Sequence, residues 1–217
     1  MDKLDEILMK VEKPARYIGS EWNSVRKNWE NTLVRMVFAY PDIYEIGMSH
    51  LGLQILYGLV NDREDFLMER VFAPWVDMEQ EMRDRNMPLF SLESRRPVRE
   101  FDVLGFTLQY ELSYTNIINM LDLAGIPIRS EDRNEHHPLI IAGGPCACNP
   151  EPLAPFIDMF LIGDGEEILP KILGLIRNNK LANGGQLDRE EVLSHALTYE
   201  GVYIPSLYSF QYHGDGT

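Results

Sequence analysis

The chain has 217 residues, 45% of them hydrophobic, enough to bury one substantial core. Thirty-four acidic residues against 20 basic ones give a net charge of −14, a surface that repels phosphate backbones and argues against direct nucleic-acid binding by this domain. No apolar run approaches the roughly 20 residues of a membrane span, and the start, Met1-Asp2-Lys3-Leu4-Asp5-Glu6, lacks the basic-then-apolar pattern of a secretory signal, so the expected location is the cytoplasm.

Residues 1–31 read as an N-terminal helical extension. Leu4, Ile7, Leu8 and Val11 have helical spacing within Asp2 to Val11, and Pro14 stops the pattern. Tyr17, Ile18, Trp22, Val25 and Trp29 form a second apolar stripe, expected to pack on the main domain. The main α/β domain is read over 32–200. Leu33–Ala39 is a short apolar run ended by Tyr40-Pro41-Asp42, the signature of a buried strand. Ser49 to Val60 follows as a helix, with Leu51, Ile55, Leu56 and Leu59 on one side. Then come a strand at Phe66–Phe72, a helix from Trp75 to Asn86 and a short strand at Pro88–Leu92.

The alternation continues with a strand at Asp102–Leu108 and a helix from Ser113 to Ala124, closed by Gly125 at its C-terminal cap. Pro138–Ala142 and Ile157–Ile162 are further strands, and a helix runs from Gly163-Asp164-Gly165-Glu166-Glu167 to about Ile176. Asn178 to Gln186 reads as a loop, and Glu190 to Leu197 as a helix. The tail at 201–217 reads as one or two strands over Val202 to His213 ending in a hairpin-like turn, as if leading into a further domain. Strands alternating with helices imply βαβ units. The expected fold is a doubly wound, flavodoxin-like, mostly parallel five-stranded sheet of order 3-2-1-4-5.

In open α/β sheets, ligands bind beyond the carboxyl ends of the strands. Four loops are expected there: Tyr40 to His50, Thr107 to Glu111, Gly143 to Pro150, and Gly163 to Glu167. All are rich in glycine, small or polar residues, and Gly143-Gly144 would let a bulky ligand lie against bare backbone. The two cysteines, Cys146 and Cys148, are one residue apart; they read as free thiols and fall short of a disulfide framework or a four-ligand metal site. No Gly-x-Gly-x-x-Gly follows the first strand, no GxxxxGK[ST] is present, and no receiver-type acidic constellation or Ser-His-Asp order is recognisable.

The order of a strand, a long loop, a Gly-Met-Ser-His-Leu-Gly-Leu helix, a strand ending in Gly-Gly-Pro and then Ile-Gly-Asp-Gly-Glu-Glu resembles the N-terminal domain of cobalamin-binding radical S-adenosylmethionine (radical SAM) proteins. The most specific stretch is Tyr40 to Gly52, and the resemblance covers nearly the whole chain. It implies a cobalamin whose corrin lies at the carboxyl ends of the strands, facing a following radical SAM domain, with its nucleotide tail running between the sheet and a helix. It also implies a [4Fe–4S] cluster and S-adenosylmethionine in that following domain, because no CxxxCxxC motif is present here and this chain alone is not a complete radical enzyme. Carried over, the cofactor-binding positions are Tyr44, Met48, Ser49, His50, Thr107, Gln109, Tyr110, Gly143, Gly144, Pro145, Gly163, Gly165 and Glu166.

The family's DxHxxG signature, whose histidine ligates cobalt, is altered here. Met48 stands where the aspartate would be, and the glycine is displaced by one. His50 is therefore read two ways: as the implied cobalt ligand, or as a helix-start residue bonded locally, with Ser49 as N-cap. Asp164, Glu166 and Glu167 read as compensation for a helix dipole or as ligand contacts. Arg95 and Arg96, His136-His137 and Trp75 read as surface or packing residues. Two functions remain: a cobalamin-binding module, or a cofactor-free domain of the same fold that caps the radical domain and shapes its substrate channel. A pocket lined by Tyr44, His50, Tyr110, Gly144 and Glu166 would favour the first.

Overall fold

A computed structural model describes residues 3–209, 211 and 213–215. Five parallel strands form the sheet: β1 (Val34–Tyr40), β2 (Phe66–Phe72), β3 (Val103–Thr107), β4 (Leu139–Gly143) and β5 (Met159–Leu161). A short antiparallel β6 (Val202–Tyr203) closes one edge, giving the order 2-1-3-4-5-6. The helices are α1 (Lys3–Leu8), α2 (Tyr44–Met48), α3 (Leu51–Asn61), α4 (Val76–Asp84), α5 (Tyr114–Ala124), α6 (Gly165–Ala182) and α7 (Arg189–Ala196).

The sheet is wound on both faces because its strands alternate two apolar sets. Val34, Met36, Phe38 and Tyr40 of β1 pack with α3, α6 and α7, whereas Val37 and Ala39 pack with α1, α4 and α5. Each of β3, β4 and β5 contributes to both cores in the same way. Burial on both faces explains why the strands read as continuous apolar runs.

The expected order 3-2-1-4-5 is corrected. β3 lies between β1 and β4, and β2 is an edge strand. The segment expected as a strand at Pro88–Leu92 does not join the sheet and makes only a bridge between Phe90 and Pro97. It seals the outer edge of β2 instead. Leu92 N donates to Arg70 O at 2.7 Å, and Arg70 N donates to Glu93 Oε2 at 2.8 Å. Arg70 and Glu93 have no exposed side-chain surface, and Arg70 Nε lies 2.7 Å from Glu93 Oε1. Burial pushes the Glu93 carboxyl upward against the opposing pull of that guanidinium.

Three other readings change. The buried face of α3 carries Leu53, Tyr57, Val60 and Asn61, while Leu51 is 71% exposed and Ile55 43%. The helix after Gly163 does not stop near Ile176. It runs into the expected loop as far as Ala182, because buried Lys180 reaches Asp102 (2.6 Å) and Asn179 accepts from Asp188 N (2.8 Å). Among its described residues the tail holds β6 and a turn of 3₁₀ helix at Pro205–Leu207; Phe210, Tyr212, Gly216 and Thr217 of the expected strands and turn lie outside the described residues, as does Asp2 of the first helix.

Of the second N-terminal stripe, Tyr17, Val25 and Trp29 pack on the cores, whereas Trp22 is fully exposed. This segment is tied down mainly by polar contacts. Lys27 Nζ donates to three carbonyls, Asn61 O, Arg63 O and Phe66 O, at 2.6–2.7 Å, and burial lowers its pKa. Val25 N donates to Tyr57 Oη at 2.7 Å. Arg16 pairs with Glu45 of α2 at 2.9 Å.

Candidate functional site

The winding direction reverses between β1 and β3. The chain leaves β1 through α3 on one face and leaves β3 through α5 on the other, so a crevice opens at their carboxyl ends. Strand periodicity then decides what faces it. On the side of α3 and α6, β3 presents Gly105 and Thr107, β4 presents Ile141 and Gly143, and Gly163 follows Leu161 of β5. Missing side chains at three of these positions leave a slot between sheet and helices.

The slot has a volume of about 160 Å³. Met36, Phe38 and Ile141 form its floor, Leu53 and Leu56 of α3 and Leu169 of α6 its apolar wall, and His50, Thr107, Gln109 and Glu166 its polar mouth. A Cβ at Gly105 would lie 2.3 Å from the Met36 methyl, so the end of that flexible side chain would have to shift. Gly144 adopts φ +103°, where a Cβ would meet the Leu108 backbone at 3.0–3.1 Å. Gly163 adopts φ +122°, with open space where a side chain would be. At Gly165 a Cβ would make ordinary contact with Leu56 of α3 at 3.5 Å.

Of the carried-over positions, the structure gathers His50, Thr107, Gln109, Gly143, Gly144, Gly163, Gly165 and Glu166 around this slot. It places the others elsewhere. The Tyr44 hydroxyl donates to Glu21 at 3.0 Å, and its ring packs edge-on to Phe72; burial and Glu21 push its pKa up to about 12. Met48 turns its sulfur toward buried Arg70 (3.5 Å). Ser49 is not the N-cap of α3: its hydroxyl donates to the carbonyls of Glu45 and Ile46 within α2, and the cap falls to His50. Tyr110 donates to Asp42 at 2.7 Å outside the slot, and Pro145 is exposed. A pocket combining Tyr44 and Tyr110 with His50, Gly144 and Glu166 is therefore not what the loops build.

The reading of the sequence missed the slot's apolar half and Gly105. One signal was available for Gly105, since a glycine inside a strand often marks close approach of another group. The others come from α3, α6, β1 and β4, whose facing sides are set by tertiary packing.

The polar mouth is neutral on one side and acidic on the other. Gln109 Nε2 donates to Thr107 Oγ1 at 2.6 Å. Glu166, in the first turn of α6, has no intramolecular partner among the described residues and complements the helix dipole. The cysteines stand apart on a 3₁₀ turn at Pro145–Cys148. Burial, with Glu111 adding to it, pushes the Cys146 thiol up, which disfavours the reactive thiolate. Among the described residues no cluster of three or more His, Cys, Asp or Glu side chains is placed to hold a metal ion, and no helix is long and apolar enough to cross a membrane. The arrangement can enclose a flat apolar group, offer hydrogen bonds at its edge and exclude water; it contains no nucleophile paired with a base.

Fold and slot together define a doubly wound α/β domain with a crevice at its switch point. A family model described as the N-terminal region of radical SAM proteins matches residues 52–205, and the chain belongs to that family. It is also 27% identical over 137 residues to an uncharacterised protein of Methanocaldococcus jannaschii, a match covering 62% of this chain and 25% of that protein. The chain thus spans about a quarter of that relative's length. No solved structure matches it.

Proposed function

We propose that this chain is a corrinoid-binding N-terminal domain of a radical SAM enzyme, holding the nucleotide tail of cobalamin in the slot and presenting the corrin to a following radical domain. The observation that carries the reading is the glycine-walled slot at the β1/β3 switch point, roofed by α3 and α6. Its volume of about 160 Å³ is below the roughly 300–1,000 Å³ of pockets that engulf drug-sized ligands. It accommodates a ring-sized tail, whereas a corrin would rest outside on the loops.

Cobalamin, when bound, supplies a transferable methyl group. The chain's own residues bind and orient. Leu53, Leu56 and Leu169 exclude water from the slot, and Thr107 with Gln109 offers a fixed hydrogen-bonding edge at its mouth. The iron–sulfur cluster and S-adenosylmethionine belong, in this reading, to the following domain, since this chain's only cysteines are Cys146 and Cys148.

One observation favours a second reading, a cofactor-free cap on the radical domain: the His50 ring is already engaged as a helix cap, and Met48 replaces the carboxylate that would orient a ligating histidine. Titration with hydroxocobalamin, followed by visible absorption and calorimetry, separates the two. Saturable one-to-one binding is expected. Absence of binding both to this chain and to the full-length protein would establish the cap instead.

A further inference from the structure

His50 closes the N-terminus of α3. Leu53 N donates to its Nδ1 at 3.1 Å, so that nitrogen carries a lone pair and the neutral ring holds its hydrogen on Nε2. The ring is clamped on both sides. The Tyr40 ring lies 5.3 Å away between centroids, and the absence of a side chain at Gly52 makes room for the imidazole, since a Cβ there would come within 3.0 Å of its Cε1. Nε2–H is then the ring's one free polar group. It has no acceptor among the described residues, and His50 lines the mouth of the slot beside Thr107 and Gln109.

A metal ligand at Nε2 must offer a lone pair there, which moves the hydrogen to Nδ1. The Leu53 N–H already points at Nδ1, so two hydrogens would face each other and the cap would break. In motifs where an aspartate accepts from Nδ1 this conflict does not arise. Here Met48 occupies that place and lends its sulfur to Arg70 instead.

We propose that His50 is a hydrogen-bond donor to the occupant of the slot, through Nε2–H, and not a metal ligand. It selects for an aromatic ring with an acceptor atom on its edge, a ring nitrogen or a carbonyl oxygen. Resting on the reading that a corrinoid tail fills the slot, the acceptor is the ring nitrogen of the lower base, released from cobalt.

The test compares hydroxocobalamin with cobinamide, which has no nucleotide tail, on the wild-type chain and His50→Asn. Asparagine keeps a side-chain oxygen for the Leu53 N–H and is among the best N-caps, so thermal stability should hold. The donor from Nε2 is lost. The expected result is roughly 3- to 10-fold weaker binding of hydroxocobalamin, the range of one hydrogen bond, with cobinamide binding unchanged. The wild-type complex should show an absorption spectrum without nitrogen coordination from below. Equal loss for both corrinoids, no loss for either, or a histidine-coordinated spectrum that disappears in His50→Asn would overturn the donor role. Absence of binding of either corrinoid to both the wild-type chain and the full-length protein would overturn the corrinoid reading, and with it the identity of the acceptor.

Discussion

Replacing Glu93 with leucine should expose how much of the β2 edge depends on one carboxylate. In the folded chain that carboxylate accepts from both the backbone N–H (2.8 Å) and Nε (2.7 Å) of Arg70, and neither side chain has solvent access. Without it, the guanidinium keeps only Ser24 Oγ at 3.3 Å, the Met48 sulfur at 3.5 Å, Glu21 at 3.9 Å and the face of Tyr57 at 4.2 Å. A buried charge stripped of its partner costs about 3–5 kcal/mol, against a total stability of roughly 5–15 kcal/mol for a domain. At about 2–4 °C per kcal/mol for a chain of this size, Tm should fall by roughly 6–20 °C. The double variant Arg70→Met/Glu93→Leu should recover much of the loss, because two apolar side chains leave no uncompensated charge. Urea and thermal denaturation of the wild type, both single variants and the double complete the cycle. If Glu93→Leu lies within about 1 kcal/mol of wild type, or the double variant is less stable than either single one, the reasoning fails.

The Arg16 guanidinium and, more weakly, Lys13 hold the Glu45 carboxyl below its ordinary value. A depressed carboxylate stabilises above the unfolded value near pH 4.3 and loses that stabilisation as pH falls through the folded one. Glu45→Gln should therefore be slightly less stable than wild type at pH 7, by under about 1 kcal/mol for a carboxylate that is 43% exposed, and closer to wild type at pH 3. A constant Tm difference between pH 3 and 7 would disprove this. Leu56 lines the slot and is half-buried, so Leu56→Phe should fill it with little effect on Tm. Hydroxocobalamin binding should then weaken about tenfold or more, overfilling a packed site costing roughly 1–3 kcal/mol; unchanged affinity measured by calorimetry would place the ligand elsewhere.

Strands were the most legible part of this sequence. A parallel strand buried on both faces is apolar at nearly every position, and Leu33–Ala39, broken only by Arg35, and Pro138–Ala142 announce themselves in that way. Their order was not legible, because it depends on which edge of β2 is closed, and Glu93, reading as a surface charge in sequence, is what closes it. The face of α3 was ambiguous for the opposite reason. Leu51, Leu53, Ile55, Leu56, Leu59 and Val60 surround the helix with apolar side chains, so periodicity cannot choose between sides. At the candidate site, the glycines after β4 and β5 pointed to loops that border the slot. The tyrosines misled, since a loop position does not say whether a hydroxyl turns to a ligand or, as with Tyr44 and Glu21, to a neighbour.

The stitching of residues 13–31 onto the domain has a consequence for synthesis on the ribosome. The partners of this segment all come later in the chain: Glu45 for Arg16, Tyr57 for Val25, the carbonyls of Asn61, Arg63 and Phe66 for Lys27, and Arg70 for Ser24. Arg95 donates to Ile18 O and Phe101 packs edge-on to Trp29, so the last of these stitches cannot close until Phe101 has left the exit tunnel. β1 must likewise wait for β3, because Asp102, at the base of β3, accepts from Arg35 N. The first third of the nascent chain thus emerges with the edges of β1 and β2 open and Arg70 still without Glu93. For that interval it is a client for chaperones that shield apolar strands.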